Sequence, residues 1–68
     1  QMYRTGQKWK IQTKGDIQYT AEILSVSEHE LCFKDKDGET IVLNRDEIKR
    51  SKLIEDSTDE ERQTYYQP

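Results

Sequence analysis

Leu31-Cys32-Phe33-Lys34-Asp35-Lys36-Asp37-Gly38-Glu39-Thr40-Ile41-Val42-Leu43-Asn44 decides the fold. Leu31 and Phe33 stand two apart and share one face of a strand, with Cys32 on the other. Asp35-Lys36-Asp37-Gly38 is a hairpin signal, a type I turn closed by a glycine in the left-handed conformation. Glu39 to Leu43 returns as a strand rich in β-branched residues. Asn44 then offers a side-chain acceptor ahead of Arg45-Asp46-Glu47-Ile48. Two acids and an apolar residue after such a cap suit a single 3-10 turn, with Ile48 plugging the bottom of the fold. Lys49 to Ile54 follows as a short closing strand.

Working outward toward the N-terminus, Gln7 to Thr13 alternates strictly. Trp9, Ile11 and Thr13 share one face, and Lys8, Lys10 and Gln12 share the other. Lys14-Gly15-Asp16 reads as a turn in which Gly15 takes positive φ. In the long segment Ile17 to Val26, Ile17, Tyr19, Ala21 and Ile23 keep one period while Leu24 and Val26 keep the opposite one. That phase change predicts a bulge or sharp bend at Ile23-Leu24. Ser27-Glu28-His29-Glu30 is a polar turn. The sole proline is Pro68, so no strand is interrupted.

The expected architecture is therefore all-β: a small five-stranded antiparallel barrel over residues 6–54, with one 3-10 turn before the last strand. Residues 1–5 form an N-terminal extension and residues 55–68 an acidic tail, read as mostly disordered. Ser57-Thr58-Asp59-Glu60 fits a capping box, but a helix from Thr58 to about Tyr66 is too short to stand alone; docking through Tyr65 and Tyr66 is the alternative. Met2 reads as the native start, with Gln1 added before it.

Only 31% of the 68 residues are hydrophobic, and nearly all the strongly apolar ones lie between Trp9 and Ile54. The foldable unit is near the lower size limit for unaided folding, which makes self-association an economical source of stability. The single cysteine, Cys32, permits no intrachain disulfide and favours a reducing cytoplasm. No segment is long or apolar enough to be a signal peptide or membrane span. The net charge of −3 is unevenly spread. Residues 1–54 hold ten Lys/Arg and nine Asp/Glu, whereas residues 55–68 hold one Arg and five acids. A globally basic nucleic-acid binder is excluded; a local basic face is not.

Four strands, a one-turn helix and a fifth strand describe the SH3-like barrel topology, and the middle of the chain resembles the Sm-like fold. Gly15 to Leu24 is similar to that fold's bent second strand, Leu31 to Asp35 to its third, and Gly38 through Ile48 to the strand and turn that follow. The resemblance is one of hydrophobic spacing over about residues 6–54. Sm proteins carry a long N-terminal helix and RNA-contacting loop motifs around an Asn and an Arg/Lys-Gly. This chain has neither, and Asn44-Arg45 near the corresponding place lacks the glycine. The resemblance thus implies a fold and carries over no RNA-contacting residues.

Lys8, Lys10 and Gln12 lie on one exposed strand face, and Arg45, Lys49, Arg50 and Lys52 cluster around the last strand. If the first and last strands pair, the two groups merge into one basic surface for phosphates, with Gln12 or Asn44 near base edges. The plainer reading is a solvated face whose lysines discourage edge aggregation. Tyr3, Trp9 and Tyr19 are the aromatic candidates for stacking or partner contact, and each has a core or lid role as its alternative. His29 falls between glutamates in a turn and Cys32 has no nearby partner. Neither suggests catalysis or a metal site. Aligning Gly38 with the invariant glycine of a calcium loop puts Phe33 at its first ligand position, so that match fails.

No phosphate cradle, serine nucleophile motif or paired-carboxylate motif is present. The expectation is a cytoplasmic, non-catalytic module without cofactor or metal. It would bind RNA or DNA through Lys8, Lys10, Gln12, Arg45, Lys49, Arg50 and Lys52. The alternative is an accessory subunit that binds a protein partner through a strand edge or self-association.

Overall fold

The computed structural model describes residues 2–56. Strands β1 (Gln7–Thr13), β2 (Gln18–Val26), β3 (Glu30–Lys34), β4 (Thr40–Asn44) and β5 (Ile48–Asp56) form one antiparallel sheet in the order β4-β3-β2-β1-β5. A 3-10 turn at Arg45–Glu47 separates β4 from β5. The acidic-tail, capping-box and Gln1 expectations concern residues outside the described ones.

The period-2 pattern sets the two faces. On β1, Trp9, Ile11 and Thr13 point inward and are buried, while Lys8 and Lys10 point outward. Ala21, Ile23, Leu31 and Phe33 complete the core from β2 and β3, with Tyr19, Ile41, Leu43 and Ile48 packed against it. Phe33, Ile11, Ile23 and Leu31 are the largest fully buried side chains, and each contributes about 1.5–3 kcal/mol by leaving water. The half-buried Ile48, just after the 3-10 turn, packs against this core.

The expected bulge is present. Ile23 pairs with Phe33 and Ser25 with Cys32, leaving Leu24 as the extra residue. Val26 then pairs with Leu31 and remains 38% exposed. A strand with such a slip must bend, and the bend curls the sheet into a half-closed barrel.

Local turn chemistry places the hairpins. Asp35 Oδ1 accepts from the backbone N–H groups of Asp37 and Glu39, both at 2.9 Å, and Gly38 takes φ +85. Asn44 Oδ1 accepts from the Asp46 N–H at 2.9 Å.

Four expectations are corrected. In the β1–β2 turn the left-handed residue is Asp16 (φ 66), not Gly15. Aspartate tolerates that region better than most side chains, and its carboxylate is held by Gln12 Nε2 at 3.3 Å and Lys49 Nζ at 3.6 Å. Ile17 lies beyond the last β1–β2 pair, Gln12 with Gln18, and is 54% exposed rather than core. The core begins before Trp9: Tyr3 is 7% exposed, its ring set edge-on to Trp9 at 4.6 Å. Gly6, at φ 91, turns the chain from Tyr3 into β1. Lastly, β5 runs to Asp56, because Glu55 and Asp56 still pair with Lys8 and Gln7. Residues 1–56 therefore hold ten Lys/Arg against eleven Asp/Glu, and part of the tail's acidity belongs to the sheet.

Buried Gln7 ties these pieces together. Its Oε1 accepts from the Arg4 N–H and from Trp9 Nε1, both at 2.9 Å, and its Nε2 donates to Asp56 Oδ2 at 3.1 Å.

Candidate functional site

The register of β1 with β5 decides which basic residues meet. Directly opposite residues share a face. Lys10 stands opposite Lys52, Gln12 opposite Arg50 and Lys8 opposite Glu55. On the other flank of β1, Gln12 faces Gln18, Lys10 faces Thr20 and Lys8 faces Glu22. The outer face thus carries a band of Lys10, Arg50 and Lys52 interleaved with the amides of Gln12 and Gln18. Toward one end it becomes mixed in charge, and Lys8 Nζ lies 3.5 Å from Glu55 Oε1. Among the described residues, Lys10, Arg50 and Lys52 make no ion pair.

One bulge in β5 and the 3-10 turn keep two further cations, Lys49 and Arg45, out of that band. Ile48 pairs with Thr13 and Arg50 with Gln12, so Lys49 is an extra residue and turns toward Asp16. Arg45, on the 3-10 turn, donates from Nη1 to the Ser27 carbonyl at 3.0 Å and lies 5.4 Å above the Tyr3 ring. Of the seven residues expected on one surface, four therefore share the outer face with Arg50 and Lys52 in register: Lys10, Gln12, Arg50 and Lys52. Lys8 is paired at its edge. Arg45 and Lys49 flank a separate cleft.

The outer face is furrowed. A depression of about 200 Å³ is lined by Lys10, Gln12, Gln18, Arg50 and Lys52, with Ile11 and Ser51 contributing to its floor. It adjoins a second depression of about 340 Å³ between Lys10, Gln18, Thr20 and the Asp35–Asp37 hairpin. Gln18, Thr20 and Lys36 belong to this surface and were not singled out from the sequence. The alternation of β2 places Gln18 and Thr20 there, but only the register reveals it.

The aromatic candidates sit elsewhere. Trp9 is 8% exposed with its indole N–H bonded to Gln7, and Tyr3 packs against it. Both serve the core in this arrangement. Tyr19 is half-buried, set edge-on to Phe33 at 5.2 Å, and forms part of the wall of the second depression.

Comparison of the chain with protein-family models, with curated proteins and with solved structures gives no match in any of the three. No helix among the described residues is long and apolar enough to cross a membrane.

Proposed function

We propose that this domain is a non-catalytic binding module for nucleic acid, and that the outer face of β1 and β5 is its binding surface. The observation that carries the reading is the placement of Lys10 opposite Lys52. Like charges directly opposite on a sheet destabilise it, and a bound phosphate between them converts repulsion into attraction. Arg50, one pair along, adds a planar donor fork suited to a phosphate. Gln12 and Gln18 supply neutral donors and acceptors for sugar or base edges.

The mechanism is phosphate neutralisation with limited base readout, since Trp9 and Tyr3 are committed to the core. The strand order and the 3-10 turn before β5 support an SH3-like, Sm-like small barrel as the scaffold. The lone free Cys32 supports a reducing, cytoplasmic setting. Fluorescence anisotropy with labelled single- and double-stranded oligonucleotides tests the reading. Binding that weakens steeply with salt supports it, and no binding at low salt rejects it.

A second reading rests on β4. It is a sheet edge, its outward Val42 is 59% exposed, and Ile41 and Leu43 are only half-buried. A protein partner adding a strand there would cover all three. Light scattering and a pull-down after nuclease treatment distinguish this reading. A stable assembly that survives nuclease and is lost in Val42→Lys supports it.

A further inference from the structure

The two residues that the β5 bulge and the 3-10 turn divert from the outer face are not idle surface charges. Arg45 and Lys49 wall a separate cleft at the end of the barrel, about 270 Å³ in volume, together with Tyr3, Ile48, Arg50 and Ser51. We infer that this cleft is a binding site for a single phosphate group, carried by inorganic phosphate or by a phosphomonoester.

Three cations converge on a space of molecular size. They come from different local structures: Arg45 from the 3-10 turn, Lys49 from the bulge, and Arg50 from the regular part of β5. Arg45 is already positioned, because the Ser27 carbonyl takes its Nη1 and the Tyr3 ring lies beneath its guanidinium. An arginine fixed in this way loses little rotamer freedom on meeting an anion. The hydroxyls of Tyr3 and Ser51, hydrogen-bonded to each other at 2.8 Å, add polar atoms to the lining. The described side chains lining the cleft include guanidinium, ammonium and hydroxyl groups and, among the described residues, no carboxylate, a donor set that suits phosphate oxygens. Asp16, which is not among the lining residues, holds Lys49 Nζ at 3.6 Å, but both groups are substantially exposed. Such a pair is weak, and an anion in the cleft competes for the ammonium.

The bulge explains why these residues sit together. Without the extra residue, Lys49 would follow the strand alternation. The slip between Gln12 and Thr13 instead lets Lys49 and Arg50 both border the cleft. Arg50 also lines the outer-face depression, so the two sites adjoin. The inference nevertheless stands without the nucleic-acid reading, since a small anion fills the cleft with no contact to Lys10 or Lys52.

The test uses the isotope-labelled full chain and NMR titration with sodium phosphate against sodium chloride at matched ionic strength. The expected result is a saturable shift of the Arg50 and Ser51 amides and the Arg45 side-chain N–H, specific to phosphate, with a dissociation constant on the order of 1 mM. Arg45→Gln should weaken it by about tenfold, the effect of losing one charge-assisted hydrogen bond. Because Arg45 also supports Tyr3, Lys49→Gln is the second variant and should weaken binding by about threefold to tenfold. Lys34→Gln, on β3, should leave it unchanged. A 5′-phosphorylated oligonucleotide that outcompetes its 5′-hydroxyl counterpart identifies a strand terminus as the source. Equal competition with retained phosphate binding identifies a small solute. Shifts that do not saturate, that chloride reproduces, or that ignore both Arg45→Gln and Lys49→Gln overturn the inference. Failure here with intact oligonucleotide binding rejects the cleft alone.

Discussion

Lys10 of β1 and Lys52 of β5 are direct cross-strand partners, so two ammonium groups leave the same face of the sheet one strand spacing apart. A carboxylate at either position would stabilise the pairing. Lys52→Glu should therefore raise fold stability by about 0.2–1 kcal/mol while weakening oligonucleotide binding. Thermal unfolding and anisotropy on the same preparation check both signs. Stabilisation without loss of binding would move the interface away from this pair.

Gln7→Leu keeps the bulk of a buried side chain and removes its amide. The Trp9 indole N–H and the Arg4 N–H then lose their acceptor, and Asp56 loses a donor. Buried donors left unpaired cost about 1–3 kcal/mol each. Denaturant unfolding should register a loss of that order, with a change in Trp9 fluorescence. An unchanged midpoint would show that these bonds are replaced by water at no cost.

The hairpin between β3 and β4 depends on Gly38. Gly38 has positive φ and open space where a Cβ would sit, so Gly38→Ala is opposed by backbone conformation alone, at about 1–2 kcal/mol. Gly38→Asn should cost less, because asparagine tolerates the left-handed region. Chemical denaturation of the two variants checks the order. Equal losses would point to packing instead.

How much of this was legible in the sequence follows from the range of each interaction. The Asp35–Gly38 hairpin, the Asn44 cap and the Ile23-Leu24 bulge are written in neighbouring residues, and each appears where the sequence places it. Gln7 was not legible as a core element, and Tyr3 was legible only as a choice between an exposed platform and a lid. Their partners Asp56 and Ser51 lie 49 and 48 residues away, and nothing local marks an N-terminal tyrosine as buried. The β1–β5 pairing was legible as topology, but the bulges within β5 were not. The bulge at Lys49 and the 3-10 turn at Arg45 separate these two cations from Lys10 and Lys52, so the expected single basic surface is split into two adjoining groups.

The central claim is that Lys10, Arg50 and Lys52 bind nucleic-acid phosphates. Its most direct test is the salt dependence of anisotropy, compared between the unaltered chain and Lys10→Gln/Lys52→Gln. Three phosphate contacts predict a slope of log K against log salt of about −2 to −3, falling toward −1 in the double variant. Binding insensitive to salt, or a slope unchanged by the two substitutions, would contradict the account.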